Sequence, residues 1–159
     1  FPSILKGGFV IGGSGGTGVL LVRGDNKSWS EPAFYTLGAV SFGLLAGGQA
    51  AEVVILVNSQ SAIDRLLTNS IKLGGDASIA AGPKGGGKAA NIAADFVSYA
   101  KSKGVYVGAS VEGSVLDVRD SLNHAYYGKA VTPAEILVKR TVVNTQSRAL
   151  REAVAAKAR

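Results

Sequence analysis

Between Gly7 and Phe34 the chain reads GGFVIGGSGGTGVLLVRGDNKSWSEPAF, and the glycine density of this stretch constrains the fold more than any other feature. Five of the seven residues from Gly12 to Gly18 are glycine, set between two β-prone runs, Phe9-Val10-Ile11 and Val19-Leu20-Leu21-Val22. Glycine adopts positive φ without steric cost, so such a link turns sharply and lets other groups approach its backbone. The segment is predicted to be a β-hairpin with its turn in the glycines. Gly13, Gly15 and Gly18 also spell G-x-G-x-x-G, but the dinucleotide fingerprint needs a helix springing from the loop and an acidic residue about 20 positions on. Here the loop is followed by Val-Leu-Leu-Val, a strand, and the first acid is Asp25 in the next turn, so nucleotide binding is not expected.

The 159 residues suit one domain with a core of its own, since a domain of about 150 residues buries roughly 70% of its unfolded surface. The 22 glycines and low charge content favour turns and strands. With no cysteine there is neither a disulfide framework nor a thiolate metal site. Seventeen Lys and Arg against eleven Asp and Glu give a net charge of +6, which favours anionic partners and makes phosphate surfaces the natural suspects. No apolar run reaches the roughly 18 residues that span a bilayer, and no signal segment opens the chain. The start at Phe1-Pro2 suggests numbering that begins inside a longer precursor.

Along the chain, Arg23-Gly24-Asp25 reads as part of a polar turn, and Trp29, the only tryptophan, as a core plug beside Phe34. Ala33 to Phe42 reads as a strand. Val53 to Val57 is the strongest strand, and its unbroken apolar run predicts cover on both faces. Ser61 to Asp64 reads as the cap of a short helix carrying Ile63, Leu66 and Leu67 on one side. Gly82 to Lys88 nearly matches the phosphate-loop pattern, but Ala89 lacks the hydroxyl that would hold magnesium, leaving a flexible basic loop in which Lys84 and Lys88 stand beside glycine amides. Asp95 to Ala100 and Gly104 to Val111 read as a second hairpin around Lys101 and Lys103, and Gly113 to Val118 as a continuation of that sheet. Lys103-Gly104-Val-Tyr-Val is similar to the opening of an RNA-recognition motif, but its stacking aromatics are missing, so no nucleic acid partner is expected.

His124 is the only histidine, and a lone histidine cannot build a multidentate metal site; no Ser-His-Asp grouping stands at a defensible spacing either. No catalytic residue, metal or cofactor is therefore assigned, and the chain is not read as an enzyme. Thr132-Pro133-Ala134-Glu135 is a strong helix start. From Lys139 to Arg159, six Lys or Arg and one acid predict a basic helix packing Leu150, Ala153 and Val154 inward.

Several spaced motifs are similar to those of the SYLF lipid-binding domain family, across nearly the whole chain. They are Gly7-Gly8-Phe9 with Gly12-Gly13 and Gly15, Gly18 to Leu21, Trp29-Ser30 with Pro32-Ala33-Phe34, and Gly43 with Gln49 ahead of Val53 to Val57. Gly82-Pro83, Ser98-Tyr99 with Lys103-Gly104, Gly108 to Gly113, and Asn123 with Tyr126-Tyr127-Gly128 complete the set. The resemblance implies a domain that binds membrane lipids, phosphoinositides in eukaryotic members, some of which also bind or bundle actin. Bacterial relatives are implied to be envelope or secreted proteins, often with a lipoprotein signal. The family's amphipathic N-terminal segment would lie before Phe1, and no SH3 or FYVE domain falls within this sequence.

These readings lead to residues 1–159 as one α+β domain with a curved, largely antiparallel sheet, barrel- or sandwich-like, covered by a middle helix and a C-terminal helix. The expected function is a non-enzymatic lipid-binding module. In it, Lys84, Lys88, Lys101 and Lys103 meet anionic headgroups, with Trp29 or Tyr106 nearby. The alternative is a structural envelope or scaffold protein whose basic face binds an acidic protein or polymer. Either would sit in the bacterial cell envelope or be secreted.

Overall fold

The computed structural model describes residues 1–2, 5–7, 13–39, 52–68, 70–83, 93–102 and 104–158. The class is α+β, as expected, with mostly antiparallel pairing. One sheet has the order β1 (Leu5–Gly7), β2 (Gly13–Leu20), β3 (Ala33–Ala39), β9 (Val115–Val118), β5 (Ile71–Lys72). The other places β7 (Phe96–Ser102) between β4 (Val53–Val57) and β6 (Ile79–Ala81), with β8 (Val105–Gly108) also on β7. Neither order closes into a barrel among the described residues. The chain divides into two compact units: unit 1 holds Phe1–Gly18 and Thr36–Asp117, unit 2 holds Val19–Tyr35 and Val118–Arg159.

β1 and β2 pair antiparallel, but no turn falls at Gly13 to Gly18. Leu5 pairs with Gly15 and Gly7 with Gly13, so the glycines from Gly13 onward are already strand, and Phe9 to Ile11 lie outside the described residues. β2 then runs unbroken through Gly15 and Gly18 to Leu20, and no helix springs from the glycines.

The second sheet of unit 1 is organised by β7. Its register with β4 pairs Val53 with Ala100 and Val57 with Phe96. Its opposite edge is shared end to end: β6 runs parallel against Phe96 to Ser98, and β8 antiparallel against Tyr99 to Ser102. The chains leaving β6 and β8 therefore converge on Ser98, whose carbonyl accepts from Gly82 N at 3.0 Å and Ala109 N at 3.1 Å. A Cβ on Gly108 would run into the Gly82 carbonyl, and one on Gly82 into the Tyr99 ring. At Gly108 the close approach of backbone requires glycine.

β4 corrects the reading of its sequence. It alternates in burial and leaves Val54 and Leu56 each 40% exposed, with β7 along one edge and, at Val53, backbone hydrogen bonds exchanged with Phe1 on the other. An apolar run records no more than compatibility with burial, and strand order decides how much of it is covered. The segment after Gly113 likewise departs from expectation, because β9 joins the other sheet, beside β5. The buried side chains of unit 1 include Leu37, Val53, Leu66, Ile71, Leu73, Phe96, Val97 and Val111. α1 (Gln60–Thr68) turns Ala62 and Leu66 into that core. Its cap is Ser59 rather than Ser61: the Ser59 hydroxyl accepts from Ala62 N at 3.2 Å and donates to Asp95 at 2.5 Å.

In unit 2, α2 (Asp120–Tyr127) buries Asn123 completely and ends at Gly128 in the left-handed conformation. Asn123 clamps one residue of β3, accepting from Phe34 N at 2.8 Å and donating to Phe34 O at 3.3 Å. Tyr127 donates to Pro32 O at 2.6 Å. Phe34, Tyr126 and Tyr127 meet edge to face at centroid distances of 5.1 and 5.0 Å. Tyr126 thus fills the place beside Phe34 predicted for Trp29, which is half-buried and bridged to Arg23. α3 (Pro133–Leu137) opens with the full capping box of Thr132 and Glu135, and buries Ile136 and Leu137. The basic C-terminal helix is shorter than expected: α4 spans Arg148–Lys157 after a 3-10 turn at Thr145–Ser147. Arg140 at φ 53 and the β-branched run Thr141 to Val143 keep the intervening residues out of a helix. No residue of α4 is buried, and Leu150 is 39% exposed, so the inward apolar face does not form.

Candidate functional site

The candidate surface in unit 1 lies on β7 and β8. Their register sets Lys101 opposite Tyr106 and Ser102 opposite Val105, with the turn completed by Gly104 at φ 82, a value that favours glycine. Glu52, which immediately precedes β4, reaches the same row, since its carbonyl accepts from Lys101 N at 2.9 Å. Its carboxylate then accepts from Lys101 Nζ at 2.8 Å and from Tyr106 Oη at 2.9 Å. Tyr106 of this trio is 45% exposed, and Val105, 62% exposed, stands on the opposite face of β8 next to the turn. Two-residue register places Val54 of β4 in the next row on the same face, opposite Tyr99. The surface therefore combines exposed apolar groups with a tethered cation.

The hydrogen bond from Lys101, followed by that from Tyr106, holds the Glu52 carboxyl below the ordinary glutamate range. The same bonds to Glu52 raise Lys101 and Tyr106. A depressed carboxyl contributes stability above its unfolded pKa and loses it as pH falls through the folded one. The raised lysine contributes below its unfolded pKa and loses it as pH rises through the folded one, so the pair stands across neutral pH. Lys101→Met should move the Glu52 titration midpoint upward in a carbon-13 NMR titration, and Tyr106→Phe should move it less. An unchanged midpoint in Lys101→Met would show that the pair does not form in solution.

Of the six residues singled out from sequence, Lys101 and Tyr106 come together, joined by Glu52, which sequence reasoning missed. Lys84, Lys88 and Lys103 lie outside the described residues, as does most of the near-phosphate loop. Trp29 belongs to unit 2. No local signal marks Glu52, because the register that brings it to Lys101 pairs segments up to 47 positions apart.

The basic excess lies mainly with the C-terminal run and not with the four lysines singled out as headgroup contacts. Unit 2 holds ten Lys or Arg against five Asp or Glu, whereas unit 1, which carries the four lysines, holds seven against six. Within unit 2 the Glu31 carboxylate is buried. It accepts from Ser147 Oγ at 2.7 Å and Asn144 N at 3.3 Å, and forms an ion pair with Arg151. Among the described residues no cluster of His, Cys, Asp or Glu could hold a metal ion, and no helix is long and apolar enough to cross a membrane.

A family model described as "Ysc84: Las17-binding protein actin regulator" matches residues 38–157. The chain belongs to the Ysc84 family. The SYLF resemblance is thereby borne out, and the description names binding and regulation. Within the Ysc84 family, the chain is 37% identical over 142 residues to an SH3 domain-containing protein of Schizosaccharomyces pombe, covering 85% of this chain and 33% of that protein. It is 35% identical over 146 residues to LAS seventeen-binding protein 3 of Saccharomyces cerevisiae, covering 87% and 32%. It is 30% identical over 155 residues to SH3 domain-containing YSC84-like protein 1 of Homo sapiens, covering 94% and 45%. The chain thus spans about a third of the length of the first of these Ysc84 relatives. No solved structure matches it. The matched relatives are yeast and mammalian proteins, several named for an SH3 domain, which overturns the expectation of a bacterial envelope or secreted protein. Glycine and charge content carry no address, and the bacterial assignment had rested on resemblance alone.

Proposed function

We propose that this chain is a non-enzymatic binding module that seats a longer actin-regulating protein on an anionic membrane surface. The observation that carries this reading is the exposure of Val105 and Tyr106 beside the Gly104 turn, on a hairpin that also bears Lys101. Apolar residues on a turn can enter the headgroup layer while flanking cations meet lipid phosphates. Because Lys101 is tethered to Glu52, the electrostatic share falls on Lys84, Lys88 and Lys103 as well. In vesicle flotation the chain should bind phosphatidylcholine vesicles containing phosphatidylserine, and bind pure phosphatidylcholine roughly tenfold less. Val105→Asp should reduce binding several-fold, and glutamate at Lys84, Lys88, Lys101 and Lys103 together should abolish it. Equal binding to both vesicles, or indifference to the four replacements, would rule the reading out.

A second reading, docking on an acidic protein, is favoured by the excess of cations in unit 2 and by the family's description as an actin regulator. Salt-sensitive co-sedimentation with filamentous actin, unaffected by the four unit 1 replacements, would support it over the membrane.

A further inference from the structure

We propose that unit 2 carries an oxyanion site, for a carboxylate or phosphate group, in the cleft between Glu31 and the start of α4. The cleft encloses about 340 Å³ and is lined by Glu31, Asn144, Ser147, Arg148, Arg151 and Glu152, together with Val143, which is 75% exposed. Its floor is a settled carboxylate. Both oxygens of Glu31 are occupied, one by Arg151 and the other by Ser147 and Asn144, so its charge is spent within the protein.

The donors that remain point to an anion. Arg151 gives Nη1 to Glu31, yet its Nε is buried and has no acceptor. Native proteins leave few such groups unserved, and a guanidinium with a free Nε–H offers the fork that matches two oxygens of a carboxylate or phosphate. Arg148, one turn earlier on α4, has an 84% exposed side chain, restrained only by a surface ion pair to Glu152 at 3.8 Å. Such a pair is weak enough for Arg148 to turn to a ligand. Glu152 is the opposing charge that Arg148 would release on turning to a ligand, and it sets the affinity from the other side. The site is independent of the hairpin in unit 1.

The test is a nitrogen-15 NMR titration of the whole chain with sodium phosphate and, separately, sodium acetate, each against sodium chloride at matched ionic strength. Saturable shifts at the amides of Ser147 to Glu152 with phosphate or acetate, but not with chloride, are expected. The tighter of the two names the ligand's oxyanion. R151K keeps a cation for Glu31 but removes Nε, and should weaken binding about tenfold. R148Q, at an exposed position that leaves folding intact, should weaken it several-fold, and E152Q should tighten it. No saturable shift, or shifts unchanged by both R148Q and R151K, would mean that a water molecule suffices for Nε, and the site would be discarded.

Discussion

Gly108→Ala should destabilise unit 1 by about 3 kcal/mol or more, as read by urea unfolding. The added methyl meets the carbonyl of Gly82, which is itself fixed by the hydrogen bond from Gly82 N to Ser98 O at 3.0 Å. Both strands are anchored to β7, so neither backbone can yield without giving up its ladder, and the burial of Ser98 between them would be lost. Gly82→Ala provides the control. Its methyl meets the Tyr99 ring, a side chain that can swing aside, so its cost should be smaller, about 1–2 kcal/mol. If Gly108→Ala unfolds with the stability of the native protein, the convergence of β6 and β8 on Ser98 is wrong.

Asn123→Leu should cost about 3 kcal/mol in unit 2. Leucine is similar in volume, so packing is nearly conserved and the loss is polar. Phe34 N loses its acceptor, while Phe34 O keeps the bond from Arg119 N at 2.9 Å. Asn123→Asp separates the two halves of the clamp. A carboxylate still accepts from Phe34 N, but its second oxygen then faces Phe34 O, and both repulsion and complete burial favour the protonated form. The folded-state pKa of that aspartate is raised, so the folded protein binds the extra proton. The variant should be most stable at low pH and lose stability as pH rises through the ordinary aspartate range toward the raised folded value. A pH-independent deficit, measured by unfolding from about pH 4, near the ordinary aspartate pKa, up to about pH 8, would remove Asn123 from the clamp.

How far the sequence could be read depended on the range of the interaction involved. The capping box of Thr132 and Glu135 was legible because its partners are three residues apart, and the β7–β8 hairpin because alternation and a glycine turn fix local register. Val53 to Val57 misled because a strand covered on one face and a strand covered on both can share one composition. Its alternating burial was decided by segments up to 47 positions away, the separation of Val53 and Ala100 in the register. Glu31 was hidden more deeply. Trp-Ser-Glu-Pro reads as a bend, and nothing nearby marks its carboxylate for burial, since Arg151 stands 120 positions along the chain.

By itself the sequence determined the α+β class, the family, the hairpin pairing in unit 1 and the helix start at Pro133, because backbone preferences and near-neighbour spacing set them. Tertiary structure decided that Lys101 is tethered by Glu52 and that Tyr126 rather than Trp29 packs on Phe34. Those outcomes depend on which distant strands and helices become neighbours. That choice follows from burying the apolar faces of all the elements at once, and no short window of residues contains it.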